Sequence, residues 1–313
     1  MKRLLSSCAR LPRVGFAVGV AALLGSLVVP GPVLAEPLYV ACQGGSGGWQ
    51  KWDAQTGQYT LGSGISAGSL SVVVSGNRVY STDIPTRRVA LSSTDGSVIN
   101  QSFIAPSAGA DALAIAGNVL YVTSGGNGTV STWDATTGAS INSSFITGLG
   151  APFAMLVSGS SLYVGEIGTN KISQWNAATG QVINSSFITG LTPFGLLSVG
   201  NRLLASDATA NTVGAFDLAT GSVINATFIA GVPSAKGLAV SGSTLYVASC
   251  DTGSYIGTYD LNTGAAISSQ YMSINAAPNG LFVVPVPEPS TCAMALAGLA
   301  CGGYSLFRRR CAR

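Results

Sequence analysis

The sequence predicts an all-β fold, a six-bladed β-propeller whose ring is closed by pairing of its N- and C-terminal strands. Three observations lead there. A turn signature recurs six times: "WDAQTG" ends at Gly57, "SSTDG" at Gly96, "WDATTG" at Gly138, "WNAATG" at Gly180, "FDLATG" at Gly221 and "YDLNTG" at Gly264. The spacings of 39, 42, 42, 41 and 43 residues suit a unit of four short strands. The composition agrees: 41 glycines and 9% charged residues in a chain of 313, with 47% hydrophobic residues, describe many short strands joined by tight turns. Third, the array begins and ends inside one repeat.

Each repeat divides in the same way. In the fifth, "PFGLLSVG" (193–200) reads as strand a, "NRLLASD" (201–207) as strand b, "NTVGAFDLATG" (211–221) as strand c with its turn, and "SVINATFIA" (222–230) as strand d. The a–b hairpins turn on Gly-Asn or Gly-Ser in "SGNRVY", "AGNVLY", "SGSSLY", "VGNRLL" and "SGSTLY". These residues tolerate the positive φ of tight hairpin turns. In the c–d turn, an Asp or Asn four residues before Gly can accept bonds from its own backbone. The run "LYVAC" (38–42) matches strand b, and "APNGLFVVP" (277–285) matches strand a. Pairing them completes the first blade and leaves no open edge in the ring. The phrases "AKGLAVSGSTLYVAS" and "ADALAIAGNVLYVTS" resemble the NHL/YVTN class of propellers. That resemblance implies fold, and it leaves function open, because such rings include binders, scaffolds and enzymes.

The ends carry a different grammar. Residues 1–35 read as a signal peptide: Lys2, Arg3, Arg10 and Arg13, then the apolar "VGFAVGVAALLGSLVV", then a cleavage site after Ala35. The propeller is expected over 36–285. Residues 286–313 open with Val286, Pro287, Glu288, Pro289 and Ser290, continue with seventeen uncharged residues from Thr291 to Phe307, and end in Arg308, Arg309 and Arg310. Seventeen residues span about 25 Å as a helix, near the lower limit for a single membrane pass. The arginines would stay on the cytoplasmic side. The ordered set resembles the PEP-CTERM sorting signal of Gram-negative bacteria. That resemblance implies an exosortase-type enzyme as partner, transient membrane attachment through the helix, and delivery to the cell envelope, cell surface or extracellular matrix.

Several functions are disfavoured by what is missing. The sequence contains no histidine, which removes Ser-His-Asp and Cys-His nucleophilic sites, a histidine general base and histidine-ligated zinc. Between 36 and 285 there are seven Lys/Arg and eleven Asp/Glu, a net charge of −4 without a basic run. Nucleic-acid binding, which needs clustered cations, is not expected.

A site is expected where the d–a and b–c loops meet at one mouth of the channel. Strand b ends at Asp83, Glu166, Asp207 and Asp251, and the starts of strand a bring Asp111, Phe153, Phe194, Lys236 and Asn279 to the same end. No cofactor is expected; calcium is the metal these oxygen ligands would suit. The leading expectation is a non-enzymatic binding, interaction or structural module, with an extracellular polysaccharide or surface protein as partner. The alternative is a metal-dependent lactonase- or lyase-like propeller enzyme. The streptogramin lyases that such repeats resemble use histidine, which disfavours the lyase branch. Trp52, Trp133, Trp175, Phe216 and Tyr259 share one repeat position and are expected to pack between blades. The sequons at Asn100, Asn142, Asn184 and Asn225 read as duplicated strand-d structure. Cys42 and Cys250, at the ends of strand b in the first and last blades, are candidates for a disulfide across the seam, a bond an exported compartment permits.

Overall fold

A computed structural model describes residues 36–284, apart from 45–47, 64–67, 108 and 252. The expected signal peptide, sorting motif, membrane helix and basic tail lie outside the described residues. Twenty-four strands form six four-stranded antiparallel sheets, each one blade. Blade 1 consists of β24 (Ala277–Val283), β1 (Pro37–Gln43), β2 (Trp49–Asp53) and β3 (Tyr59–Gly62). Blade 2 runs β4 (Val72–Ser75), β5 (Arg78–Asp83), β6 (Arg88–Ser93), β7 (Val98–Ile104). Blade 3 runs β8 (Leu113–Ala116), β9 (Val119–Ser124), β10 (Thr129–Asp134), β11 (Ser140–Ile146). Blade 4 runs β12 (Pro152–Ser158), β13 (Ser161–Glu166), β14 (Lys171–Asn176), β15 (Val182–Thr189). Blade 5 runs β16 (Pro193–Val199), β17 (Arg202–Asp207), β18 (Thr212–Asp217), β19 (Val223–Ala230). Blade 6 runs β20 (Ala235–Ser241), β21 (Thr244–Ser249), β22 (Tyr255–Asp260), β23 (Ala266–Ser273). The fold is therefore the six-bladed propeller expected from the repeats. Its closure is the one expected too: β24 pairs with β1 through Leu38↔Val283, Tyr39↔Phe282 and Val40↔Leu281.

The apolar core sits between blades. Six buried clusters each mix residues of two neighbouring blades. One joins Val73, Tyr80 and Leu91 of blade 2 to Leu113, Leu120 and Val122 of blade 3. Another joins Leu38 and Val40 of blade 1 to Tyr246 and Ile256 of blade 6. The repeated aromatic of strand c belongs to these interfaces: Trp133 and Trp175 pack on the clusters shared with the preceding blade, and Phe216 and Tyr259 lie inside theirs. Each indole of that pair donates its Nε1–H to a serine two residues back, Trp133 to Ser131 and Trp175 to Ser173, both at 2.8 Å. The polar edge of the ring is thereby satisfied within the interface.

The c–d turns knit one blade to its neighbours. Asp134 Oδ1 accepts the backbone N–H of Thr136 and Thr137 and the Thr137 hydroxyl. Those bonds hold its carboxyl below the usual carboxylate range. Gly138 then takes φ +74° with its Cα against the Phe103 carbonyl of the preceding blade; an added Cβ would lie 2.6 Å from that oxygen. A tyrosine on strand b reaches the other way. Tyr80 donates to Ala135 O at 2.6 Å, Tyr121 to Ala177 O at 2.8 Å, Tyr163 to Leu218 O at 2.7 Å, and Tyr246 to Ala54 O at 2.7 Å across the seam. Blade 5 has Leu204 at this place, and Arg202 reaches Leu261 O instead, at 2.9 Å. Tyr121→Phe would leave the Ala177 carbonyl buried without a donor, at a cost of about 1–3 kcal/mol. The expected fall in melting temperature is roughly 2–4 °C per kcal/mol for a domain of this size, measurable by circular dichroism.

The sequon asparagines are structural. Asn100, Asn142, Asn184 and Asn225 each accept, through Oδ1, the backbone N–H two residues on. The register with strand c shifts on either side of each one. Every strand d from β7 to β19 is thus bulged at the same point along the outer edge of its blade.

Candidate functional site at the channel mouth

Strand a of every blade lines the central channel, which encloses a cavity of about 250 Å³. One residue position sets the chemistry of its mouth. Six residues before the hairpin glycine stand Leu70, Asp111, Phe153, Phe194 and Lys236 in blades 2 to 6, and Asn279 takes the corresponding place on β24. Four of these come together. The rings of Phe153 and Phe194 meet edge to face with centroids 5.0 Å apart. Lys236 Nζ lies 5.4 Å from the Phe194 ring centroid and donates to Asn279 Oδ1 at 2.8 Å. Asn279 is buried and returns its Nδ2–H to Ala277 O at 3.1 Å.

The backbone beneath this cluster is held tightly. Ser206 Oγ donates to the Lys236 carbonyl at 2.6 Å, fixing the strand that carries the amine. Gly195 approaches the Lys236 carbonyl, and Gly237 approaches the Asn279 carbonyl, so closely that a Cβ has no room at either place. Two residues immediately before strand a, Ala151 (φ 50°) ahead of β12 and Ser234 (φ 49°) ahead of β20, adopt left-handed backbone without being glycine. Such conformations are costly and persist where the surroundings impose them.

The expected acidic pocket does not form. Glu166, Asp207 and Asp111 are bonded to the loops around them. Glu166 accepts Gly150 N at 2.8 Å, Thr169 Oγ1 at 3.1 Å and Ser173 Oγ at 2.7 Å, with Lys171 Nζ 3.8 Å away. Asp207 accepts the backbone of Thr209 and Ala210 at 2.9 Å and of Thr192 at 3.2 Å. Asp111 turns from the channel to Gly125 N at 2.6 Å and pairs loosely with Arg87 at 3.9 Å. Asp83 accepts Thr86 Oγ1 at 2.6 Å, and its Oδ1 is buried with no protein partner. Asp251 is exposed on the turn after β21, where its main-chain carbonyl accepts Ser254 N. Among the described residues no three acids or cysteines gather into a metal-binding group. The physical reason is local: Glu166 and Asp207 at the end of strand b, and Asp111 at the start of strand a, find loop amides within reach and accept from them.

The expected disulfide is not formed. Cys42 and Cys250 are both free thiols, Cys42 buried in β1 and Cys250 half-buried after β21. The Cys42 thiol points to Val40 O of its own strand at 3.7 Å. Burial, with a smaller contribution from Cys250, pushes its pKa up to about 12. Sequence reasoning missed the inter-blade tyrosine bonds and the role of Ser206. The recurring "LY" of strand b was the available signal for the former.

Comparison with known proteins places this geometry in a class. Residues 38–270 match the PQQ_2 family, described as outer membrane protein assembly factor BamB, and the chain belongs to that family of propellers. Residues 285–310 match the PEP-CTERM protein-sorting motif. The motif marks an exported protein that is sorted to the cell envelope and processed by an exosortase. No curated protein matches the sequence. Among solved structures, the chain is similar to one described as a nidogen/laminin complex, at 15% identity and a TM-score of 0.65 over 79% of this chain and 98% of that one. It is also similar to a protein of unknown function from Bacteroides caccae, at 16% identity and a TM-score of 0.62 over 80% and 99%. At such identities the likeness concerns the fold alone. Among the described residues no helix is long and apolar enough to cross a membrane.

Proposed function

We propose that this chain works outside the cytoplasm as a non-enzymatic binding module, with its ligand entering the channel at Phe153, Phe194, Lys236 and Asn279. The observation that carries this reading is the division of labour at the mouth. The carboxylates of Glu166, Asp207 and Asp111 are tied into loops, and none of the candidate acids lines the cavity, while an amine and two aromatic rings face it. An ammonium resting on an aromatic face suits recognition and supplies neither a nucleophile with its base nor a metal-bound water. The partner is an extracellular polysaccharide or a surface protein. Protein assembly at the outer membrane, which the family description names, is a role this chain would share only if the partner is a protein.

The test is a melting curve of the purified protein with and without EDTA, alongside a screen of lactone hydrolysis. The expected outcome is superimposable curves and no turnover. A ligand at a hundredfold excess over its dissociation constant stabilises by about 2.7 kcal/mol. An EDTA-sensitive shift of that order with stoichiometric calcium and lactone turnover would overturn the reading in favour of a metal-dependent lactonase.

A further inference from the structure

The residues lining the channel cavity contain one charged side chain, Lys236, and not one carboxylate. The remaining lining residues are apolar or small, apart from Ser71 and Asn279. Lys236 makes no ion pair with any described acid, although acids outnumber bases in the propeller. Both other features of the amine limit what it can meet. Its one hydrogen bond goes to a neutral amide, Asn279 Oδ1, and its flank rests on the Phe194 ring. An ammonium has three donors, so two remain for an incoming ligand. Asn279 in turn is held by Ala277 O, which fixes the direction in which the amine is presented.

We propose that the mouth takes a carboxylate carried on a single six-membered ring, as in a uronic acid residue at the end of a glycan. This rests on the reading of the channel mouth as a binding site. The carboxylate supplies the counter-charge that Lys236 lacks and accepts its two free N–H donors as charge-assisted bonds. The edge-to-face pair of Phe153 and Phe194 offers apolar surface to the C–H face of the ring. The cavity volume of about 250 Å³ falls below that of sites for drug-sized molecules, about 300–1,000 Å³, and so suits one ring and excludes a folded chain. A cationic ligand meets Lys236 as like charge, and a neutral sugar leaves the amine unpaired. Asn279 acts here as a positioning residue.

Isothermal calorimetry on the purified protein compares methyl β-D-glucuronoside, methyl β-D-glucoside and benzoate. The glucuronoside is expected to bind, and Lys236→Met to weaken it about tenfold or more, the effect of losing a charge-assisted bond. Lys236→Arg should restore most of the affinity. Phe194→Ala, a second variant checked for an unchanged melting temperature, should weaken the glucuronoside as well. Equal binding of glucoside and glucuronoside overturns the carboxylate inference and leaves the binding module standing. Benzoate binding without glucuronoside binding overturns the sugar source. Unchanged glucuronoside affinity in Lys236→Met places the site elsewhere and overturns the proposal. Silence from all three probes at about 10 mM, a concentration that reveals even weak sites, removes both the inference and the channel mouth as a binding site.

Discussion

Deletion of residues 277–284 is expected to abolish the cooperative unfolding transition of the propeller. β24 supplies the innermost strand of blade 1 and the only pairing that joins the two ends of the ring among the described residues. Leu281 and Val283 belong to the buried cluster between blades 6 and 1, and Phe282 packs against two further clusters. Burial of each such side chain contributes about 1.5–3 kcal/mol. Leu281 and Val283 together amount to roughly 3–6 kcal/mol, to which half-buried Phe282 adds a smaller share, against a total stability of about 5–15 kcal/mol for a typical domain. The strand pairing lost with Tyr39 and Val40 adds to this. Loss of the near-ultraviolet circular dichroism signal and of a sharp thermal transition is the expected readout. A truncated protein that melts within a few degrees of the intact one would show that the ring closes without β24.

The second large effect is expected at Gly264. It closes the c–d turn of blade 6 with φ +74°, and a Cβ there would collide with the Phe228 carbonyl of blade 5. Alanine pays twice. The left-handed backbone costs about 1–2 kcal/mol for an L-residue, and relieving the collision by moving one blade against the next costs about 1–3 kcal/mol more. The sum, roughly 2–5 kcal/mol, exceeds what an ordinary surface turn loses on the same exchange. Chemical denaturation should show the midpoint falling with an unchanged slope, since the same surface is exposed. A glycine in an a–b hairpin serves as control: Gly242, φ +54°, has no heavy atom near its absent Cβ, so Gly242→Ala carries the backbone cost alone. Equal losses at the two positions would mean that the contact with Phe228 contributes nothing.

The sequence made the fold legible because the period is printed in residues whose role is conformational. The turn glycines recur every 39 to 43 residues, five of them four residues after an Asp or Asn, and the strands cut from residues 193–230 fall within a residue or two of β16 to β19. The closing strand was legible because "LYVAC" and "APNGLFVVP" name the two halves of one blade. The mouth was legible only in part. Phe153, Phe194, Lys236 and Asn279 were placed correctly at one end of the channel, and they meet there. Asp111 occupies the same repeat position and turns away, because the Gly125 amide stands within 2.6 Å of its carboxylate. Direction depends on which loop amide is unpaired nearby, and loop geometry leaves little trace in a repeat. Glu166 and Asp207 were read as facing a ligand for the same reason.

The bulge at Asn100, Asn142, Asn184 and Asn225 bears on life at high density. Strand d is the outer edge of its blade, carries no charged residue in blades 2 to 6, and exposes an isoleucine at one repeated place: Ile99, Ile141, Ile183, Ile224 and Ile267. A flat edge of that composition would template pairing with the next molecule. The interrupted register breaks the row of free N–H and C=O groups before a neighbour can zip along it. Crowded copies can therefore touch at their rims, through isolated apolar spots, without fusing into continuous sheet. For a molecule sorted to an envelope, such a rim opposes edge-to-edge pairing through backbone geometry instead of charge.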